Sequence, residues 1–129
     1  MITRHNPPGL YPKYLGYSHA VEIGGGSRLL FVSGLNGYLA DGKTMPESFE
    51  AQCRTIWGHL VTILASANMN LNNLVSLRTY LADPADRVLD AKLRKEHLGD
   101  HEVALTVVSA TLLVPTWKLE MEAVAASNA

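Results

Sequence analysis

Hydrophobic and polar positions recur along this chain with two different periods, which predict both helices and strands. Over residues 49–67 the apolar positions return every three or four residues, the spacing of one helix face. Thr44 and Glu47 have capping-box spacing ahead of this stretch, and Pro46 suits the first turn of a helix. The pattern therefore predicts a helix that buries one face, with Asn68 as a left-handed stop.

Strict alternation, the period of a half-buried strand, marks most of the remaining elements. It covers residues 18–23, 74–81 and 118–125. Two further apolar segments, 29–33 and 103–113, are also predicted to be strands, the second of them bent or interrupted. Residues 18–23 and 29–33 are joined by Gly24-Gly25-Gly26-Ser27, a flexible turn, and are predicted to pair as a β-hairpin. In the last segment, Glu120 and Glu122 are predicted to project from the same face of a sheet.

A second helix is predicted after the 74–81 strand. The run Asp83-Pro84-Ala85-Asp86 places a carboxylate at the N-cap and a proline at the first helical position. The helix should continue to Leu98 and end at Gly99. Its apolar positions are few, so it should be more exposed than the first helix.

These elements predict an α+β fold in which about six mostly antiparallel strands form a sheet with two helices on one face. Two helices cover only one face of such a sheet. The other face needs a cover, and self-association is the simplest source of one. Because the last strand presents two acids there, the covered surface is expected to contain a pocket.

Length and composition favour one domain. The chain has 129 residues, of which 47% are hydrophobic and 18% charged, and its formal net charge is -1. We expect a single domain spanning residues 1–129, with residues 1–13 as an N-terminal arm. A charge near zero, without a basic run, disfavours binding to nucleic acid or to an anionic membrane.

The cysteine and histidine content and the length of the apolar runs limit the location and the cofactors that we expect. No stretch supplies the roughly 20 apolar residues of a membrane-spanning helix, and residues 1–9 lack the apolar core of a secretory signal. Cys53 is the single cysteine, so no disulfide can form within the chain and a cytoplasmic location is expected. The five histidines lack metal-ligand spacing, and we expect neither a metal nor another cofactor.

Five short motifs, in order and at matching spacing over roughly residues 14–125, resemble the RidA/YjgF family of small trimeric imine deaminases. They are Gly16-Tyr17-Ser18-His19-Ala20, Leu30-Phe31-Val32-Ser33-Gly34, Ala51-Gln52-Cys53-Arg54, Thr79-Tyr80-Leu81-Ala82-Asp83 and Lys118-Leu119-Glu120-Met121-Glu122-Ala123. The resemblance implies the chorismate-mutase-like fold of that family. It also implies a homotrimer with three clefts between subunits.

The same resemblance implies a chemistry and a set of site residues. Active members hydrolyse enamines and imines, such as 2-aminoacrylate, to a 2-keto acid and ammonia without a cofactor. Carried over to this chain, the water-positioning glutamate is Glu120 and the cleft tyrosine is Tyr17. The family's substrate-anchoring arginine falls on Leu105, its small residue two positions later falls on Val107, and the asparagine of its second helix falls near Ala91.

Leu105 is the main departure from the family pattern. No Arg or Lys occurs anywhere from Glu96 to Trp117, so a small shift in alignment does not restore the anchor. A guanidinium supplies two parallel charge-assisted bonds to a carboxylate, and leucine supplies none. Efficient hydrolysis of 2-aminoacrylate is therefore not expected.

The sequence leaves two hypotheses open. In the first, the protein is a diverged enamine or imine hydrolase in which Glu120 is catalytic and the substrate contacts Tyr17, Leu105, Thr106, Val107 and Ser33 without an arginine-carboxylate bridge. In the second, the same cleft binds a small, fairly apolar metabolite without catalysis. The ribonuclease activity described for family members is disfavoured by the net charge. Glu120 also has a purely structural interpretation, as a solvated acid or a partner of Lys118 or Arg78.

Overall fold

The chain folds into six strands and two helices in a computed structural model that describes residues 2–10, 12–13 and 16–128. The strands are β1 (Ile2–His5), β2 (Ala20–Ile23), β3 (Arg28–Leu35), β4 (Leu74–Leu81), β5 (Ala104–Ser109) and β6 (Leu119–Ser127). The helices are α1 (Phe49–Ser66) and α2 (Arg87–Leu98). The α+β class with two helices and six strands is confirmed.

The strands form two sheets. The main sheet has the order β3-β6-β4-β5, in which only the β4–β5 pair is parallel. The smaller sheet pairs β1 with β2, so part of the N-terminal arm is a strand. The predicted hairpin between residues 18–23 and 29–33 is wrong. A turn forms over residues 24–27, but β3 leaves it to pair with β6, a partner about 95 residues away that local alternation cannot reveal.

Helix α1 begins later than the Thr44 capping box predicted. Its N-cap is Ser48, whose hydroxyl accepts a hydrogen bond from the Ala51 amide at 3.1 Å. Thr44 is held instead by the preceding turn, where it donates its hydroxyl to Asp41 Oδ2 at 2.6 Å. The predicted left-handed stop at Asn68 is confirmed by its φ of 58°. Helix α2 begins after a short 3-10 turn capped by Asp83, and Gly99 ends it, as predicted.

One face of the main sheet packs on the helices and forms the core. Leu119, Met121, Ala123 and Ala125 of β6 alternate inward and are buried, as the 118–125 pattern predicted. They meet the apolar stripe of α1, whose members include Ile56, Trp57, Leu60 and Leu64, all fully buried. The helix side of the fold is therefore complete within one chain.

Cys53 lies in this stripe and is fully buried. Burial raises the pKa of the Cys53 thiol to about 12. Because the thiolate is the reactive form, we expect the folded protein at pH 8 to react with a disulfide reagent only as fast as it unfolds. Titration of the thiol with and without denaturant measures this. Rapid labelling of the folded protein would contradict the assignment of Cys53 to the core.

Within the described ranges, no helix lies over the second face of the main sheet. Phe31 of β3 is 73% exposed there, and Val108 of β5 is 43% exposed. Arg78 and Tyr80 of β4 share this face, because their neighbours Leu77, Thr79 and Leu81 point into the core. We call it the open face. Among the described residues, no helix has the length and apolar character needed to cross a membrane.

Candidate functional site

An open cavity of about 580 Å³ lies on the helix side of the main sheet, between α2 and the edge strand β5. Leu105 and Val107 of β5 form its floor, and both also pack against the core. Tyr17 lines the cavity ahead of β2, and Ala91 lines it from α2. The structure therefore brings together the three positions Tyr17, Leu105 and Val107, and places Ala91 beside them.

Tyr17 is held at the cavity by backbone pairing and by an ion pair. Tyr17 forms a parallel bridge with Val103, and the Ser18 amide donates to the Val103 carbonyl at 3.0 Å. The Ser18 hydroxyl donates to Glu102 at 3.1 Å, and Lys13 donates to the same carboxylate. The hydrogen bond from Lys13 lowers the pKa of Glu102. These contacts tie the segment that carries Tyr17 to the start of β5.

The α2 wall of the cavity is charged, which the sequence analysis missed. Arg87, Asp90, Ala91 and Arg94 all line the cavity. They are spaced i, i+3, i+4 and i+7, so they form one stripe of the helix. Arg94 Nη1 donates to Asp90 Oδ2 at 2.9 Å. That spacing was readable in the sequence, but nothing in the sequence indicated that the stripe faces β5.

Asp90 is the most enclosed polar group of this wall. The residue is 1% exposed, and among the described residues its Oδ1 has no hydrogen-bond partner. Burial raises the pKa of the Asp90 carboxyl, and the charge of Arg94 opposes that rise. The cavity thus contains a carboxylate and two guanidinium groups around an otherwise apolar floor.

Glu120 lies on the other side of the sheet, on the open face. Leu119 and Met121, its neighbours in β6, are 0% and 1% exposed and point into the core, so Glu120 points away from it. Thr106 also lies on the open face, paired in register with Arg78, and Ser33 is exposed on β3. Within one chain, Glu120, Thr106 and Ser33 therefore do not meet Leu105 and Val107.

The two acids of the open face differ in their contacts. Glu122 accepts a hydrogen bond from Arg78 Nη1 at 3.2 Å, which matches the ion pair that the sequence favoured for it. Glu120 makes no hydrogen bond or ion pair within the described part of the chain. Its carboxylate lies against Gly34, in the space where any larger residue would place its Cβ. Gly34 follows Ser33 in a β-bulge between Val32 and Leu35.

Gln52 of α1 fixes the start of the strand that carries Glu120. This side chain is 1% exposed. Its amide nitrogen donates to the Pro46 carbonyl at 2.8 Å and to the Thr116 carbonyl at 3.0 Å, and its oxygen accepts from the Lys118 amide at 2.8 Å. One buried amide therefore joins the loop before α1 to the entry of β6. No group of three or more His, Cys, Asp or Glu side chains in the described ranges could hold a metal ion.

Comparison with known proteins agrees with this arrangement of motifs. The family model described as Endoribonuclease L-PSP matches residues 12–127. The chain belongs to this family, also called YjgF/RidA. The mitochondrial protein mmf2 of Schizosaccharomyces pombe is 33% identical over 113 residues, covering 85% of this chain and 86% of that protein. The mitochondrial protein MMF1 of Saccharomyces cerevisiae is 27% identical over 114 residues, covering 88% and 77%.

Among solved structures, the Rid-family protein YyfB of Yersinia pestis superposes with a TM-score of 0.85 at 27% identity, covering 98% of each chain. The RidA/YjgF resemblance seen in the motifs is thus confirmed as family membership. Two of the relatives are named as mitochondrial.

Proposed function

We propose that the protein is a homotrimeric enamine or imine hydrolase of the RidA/YjgF family, diverged in how it anchors its substrate. The proposal rests on the surroundings of Glu120. This residue is an unpaired carboxylate on the open face, seated against Gly34, while the neighbouring acid Glu122 is neutralised by Arg78. An acid held without a partner on this face suits contact with water and substrate once the face is covered.

Two chains are needed to complete this site. The cavity with Tyr17 and Leu105 is on the helix side of the sheet, and Glu120 is on the open face, so one chain cannot present both to one substrate. In a closed ring each subunit would offer its open face to the cavity edge of the next. Exposed Phe31 and Val108 supply apolar surface for such an interface. The family resemblance implies a ring of three chains, so light scattering should give three times the chain mass.

The proposed reaction consumes water and forms no bond to the protein. An enamine first takes a proton on carbon and loses one from nitrogen, which converts it to the imine. Glu120 accepts a hydrogen bond from a water molecule and orients its oxygen toward the C=N carbon. The C–O bond forms as the C=N π pair moves to nitrogen, while the water gives a proton to Glu120, which passes it to that nitrogen. The C–N bond then breaks with its electron pair leaving on ammonia, and the hydroxyl loses its proton as the C=O bond forms. The product is the ketone or keto acid, and the step needs no oxidant or reductant.

The first test measures ammonia released from freshly generated 2-aminoacrylate and from longer imino acids. Glu120→Gln keeps the shape of the side chain and removes its charge, so we expect hydrolysis to fall by about 100-fold or more. Unchanged turnover in this variant would overturn the mechanism. Leu105→Arg restores the family's anchor, and a gain of 2-aminoacrylate hydrolysis would support an otherwise intact site.

Gly34→Ala tests how closely the Glu120 carboxylate must be held. The added Cβ would overlap this carboxylate, which must then move off β3. Because small displacements of a catalytic group are costly, we expect a loss of about tenfold to 100-fold in kcat/KM with little change in melting temperature. Gly58→Ala is the matched control, since Gly58 is exposed on α1 with open space around it. Equal activity in both variants would contradict this role of Gly34.

A second function, binding without catalysis, is favoured by the cavity floor. Leu105, Val107 and Leu81 make that floor apolar. Under this alternative a panel of small metabolites would raise the melting temperature while no product forms from any of them. In either case we place the protein in the cytoplasm, where metabolic imines arise and where a single reduced cysteine is usual.

A further inference from the structure

One carboxylate holds the chain on both sides of Tyr17. Glu102 lies just ahead of β5, and its Oε1 accepts a hydrogen bond from the Ser18 hydroxyl at 3.1 Å. Its Oε2 accepts a second hydrogen bond from the Lys13 ammonium. Because Lys13 precedes Tyr17 and Ser18 follows it, the Glu102 side chain joins the chain before the tyrosine to the chain after it. We call Lys13, Ser18 and Glu102 the clamp.

The clamp is partly shielded from water. Ser18 is 2% exposed, and the side chains of Lys13 and Glu102 are 26% and 22% exposed. The hydrogen bond from Lys13 holds the pKa of Glu102 below its usual range, so this carboxylate is charged at neutral pH. Charge-assisted hydrogen bonds are stronger than neutral ones, and partly buried pairs are screened less by salt. The clamp is therefore expected to stay closed in solution.

The position of the Tyr17 ring depends on its backbone. Within the described ranges, no group forms a hydrogen bond with the Tyr17 hydroxyl. The backbone at Tyr17 bridges to Val103, the residue after Glu102, and Leu105 of the cavity floor follows two positions later. The clamp therefore decides where the tyrosine ring stands relative to the cavity floor.

We propose that Glu102 is a positioning residue, which places the Tyr17 side chain at the cavity by clamping Lys13 and Ser18. Glu102 is not among the residues that line the cavity, so it acts through Tyr17 and not on a ligand. The importance of the clamp for turnover rests on the proposed function. The effect of the clamp on Tyr17 does not, because every contact that carries it lies within the chain.

Fluorine NMR of the protein containing 3-fluorotyrosine tests the clamp without a ligand. The line from Tyr17 is assigned by its loss in Tyr17→Phe. The line from Tyr38, whose hydroxyl accepts a hydrogen bond from Trp117 at 3.0 Å, is the internal reference. Glu102→Ala removes both acceptors of the clamp. We expect the Tyr17 line to move at least halfway toward its position in the urea-unfolded protein, while the Tyr38 line stays in place.

Glu22→Ala is the matched control. Glu22 lies on β2, and its carboxylate pairs with another residue of the N-terminal arm, His5, at 3.0 Å. The Glu22 side chain is 64% exposed. Losing this exposed pair should leave the Tyr17 line within one line width of its natural position. Equal displacement in both variants would assign the effect to the whole arm and would overturn the role of Glu102.

Exchanging the two charges of the clamp provides a rescue. In Lys13→Glu/Glu102→Lys, the ammonium at position 102 can donate to the carboxylate at position 13 and to the Ser18 oxygen. We expect the Tyr17 line to return more than halfway to its natural position. Lys13→Glu alone places two carboxylates together, and their repulsion should displace the line as far as Glu102→Ala does. A folded exchange variant with no such return would overturn the clamp.

The kinetics of 2-iminobutanoate hydrolysis measure what the clamp does for the site. Without the clamp, only a fraction of the molecules hold Tyr17 at the cavity, and the apparent affinity falls by that fraction. We therefore expect Glu102→Ala to raise KM by about tenfold and to change kcat by less than about twofold. In a Tyr17→Ala background the same substitution should raise KM no further, because the ring that it positions is gone. A general disturbance of the cavity would raise KM in both backgrounds.

The clamp and the hydrolase fail separately. An unmoved Tyr17 line in folded Glu102→Ala overturns the clamp, whatever the protein hydrolyses. No hydrolysis by the natural protein, or unchanged turnover in Glu120→Gln, overturns the hydrolase, and the fluorine spectra then decide the clamp on their own.

Discussion

Mixing two inactive variants is expected to restore about a quarter of the natural hydrolytic activity when trimers form at random from equal amounts of each. One variant is Glu120→Ala, which lacks the acid of the open face. The other is Ala91→Trp, which fills the cavity from an exposed position on α2. A site is active when its cavity comes from the first variant and its glutamate from the second.

Activity is expected to return because Glu120 and the cavity lie on opposite sides of the main sheet. If one chain supplied both groups, every site in the mixture would contain a defect and no activity would return. The control is the double variant Glu120→Ala/Ala91→Trp mixed with the natural chain. It should retain about a quarter of the activity if sites are shared between chains and about half if they are not. Co-expressed chains with different tags allow mixed trimers to be purified before assay.

Replacing Gln52 by leucine is expected to reduce stability strongly. The substitution leaves the Pro46 and Thr116 carbonyls and the Lys118 amide without their buried partner. Buried polar groups that lose a hydrogen bond cost about 1–3 kcal/mol each, so we expect the free energy of unfolding to fall by about 3–5 kcal/mol. Denaturant unfolding monitored by fluorescence measures the change.

Arg54→Ala is the control for Gln52→Leu, two positions further along α1. Arg54 pairs with Glu50 and Glu96 at 3.0 and 3.1 Å, but its side chain is 46% exposed. Exposed ion pairs contribute little, so we expect a loss below about 1 kcal/mol. If the free energy of unfolding falls by similar amounts in the two variants, the hydrogen bonds of the Gln52 amide contribute no more to stability than an exposed ion pair.

The sequence predicted those parts of the fold that depend on local periodicity. The stripe of α1, the inward residues of β6 and the turn that Asp83 caps ahead of α2 follow from spacing alone. Spacing did not predict the partner of β3, because its pairing with β6 depends on the burial of residues that are far apart in the chain. The early cap at Thr44 was wrong because Asp41 offers a nearer acceptor in the turn.

Only some residues of the candidate site could be predicted, for a similar reason. Family motifs located Tyr17, Leu105 and Val107 at one cavity, and alternation placed Glu120 and Glu122 on one face. Neither argument could tell which elements stand opposite each other. Arg87, Asp90 and Arg94 share a helical stripe, yet only the packing of α2 beside β5 shows that this stripe faces the cavity.

The contact between Gly34 and Glu120 couples the residues that these two positions can accept. While the acid is present, any side chain at position 34 would displace it, so selection on the acid also preserves the glycine. A lineage that loses the acid is released from this constraint and can accept alanine or serine at position 34. Regaining the acid would then require two changes, of which neither is useful alone. Loss of the glutamate in such a protein is therefore difficult to reverse.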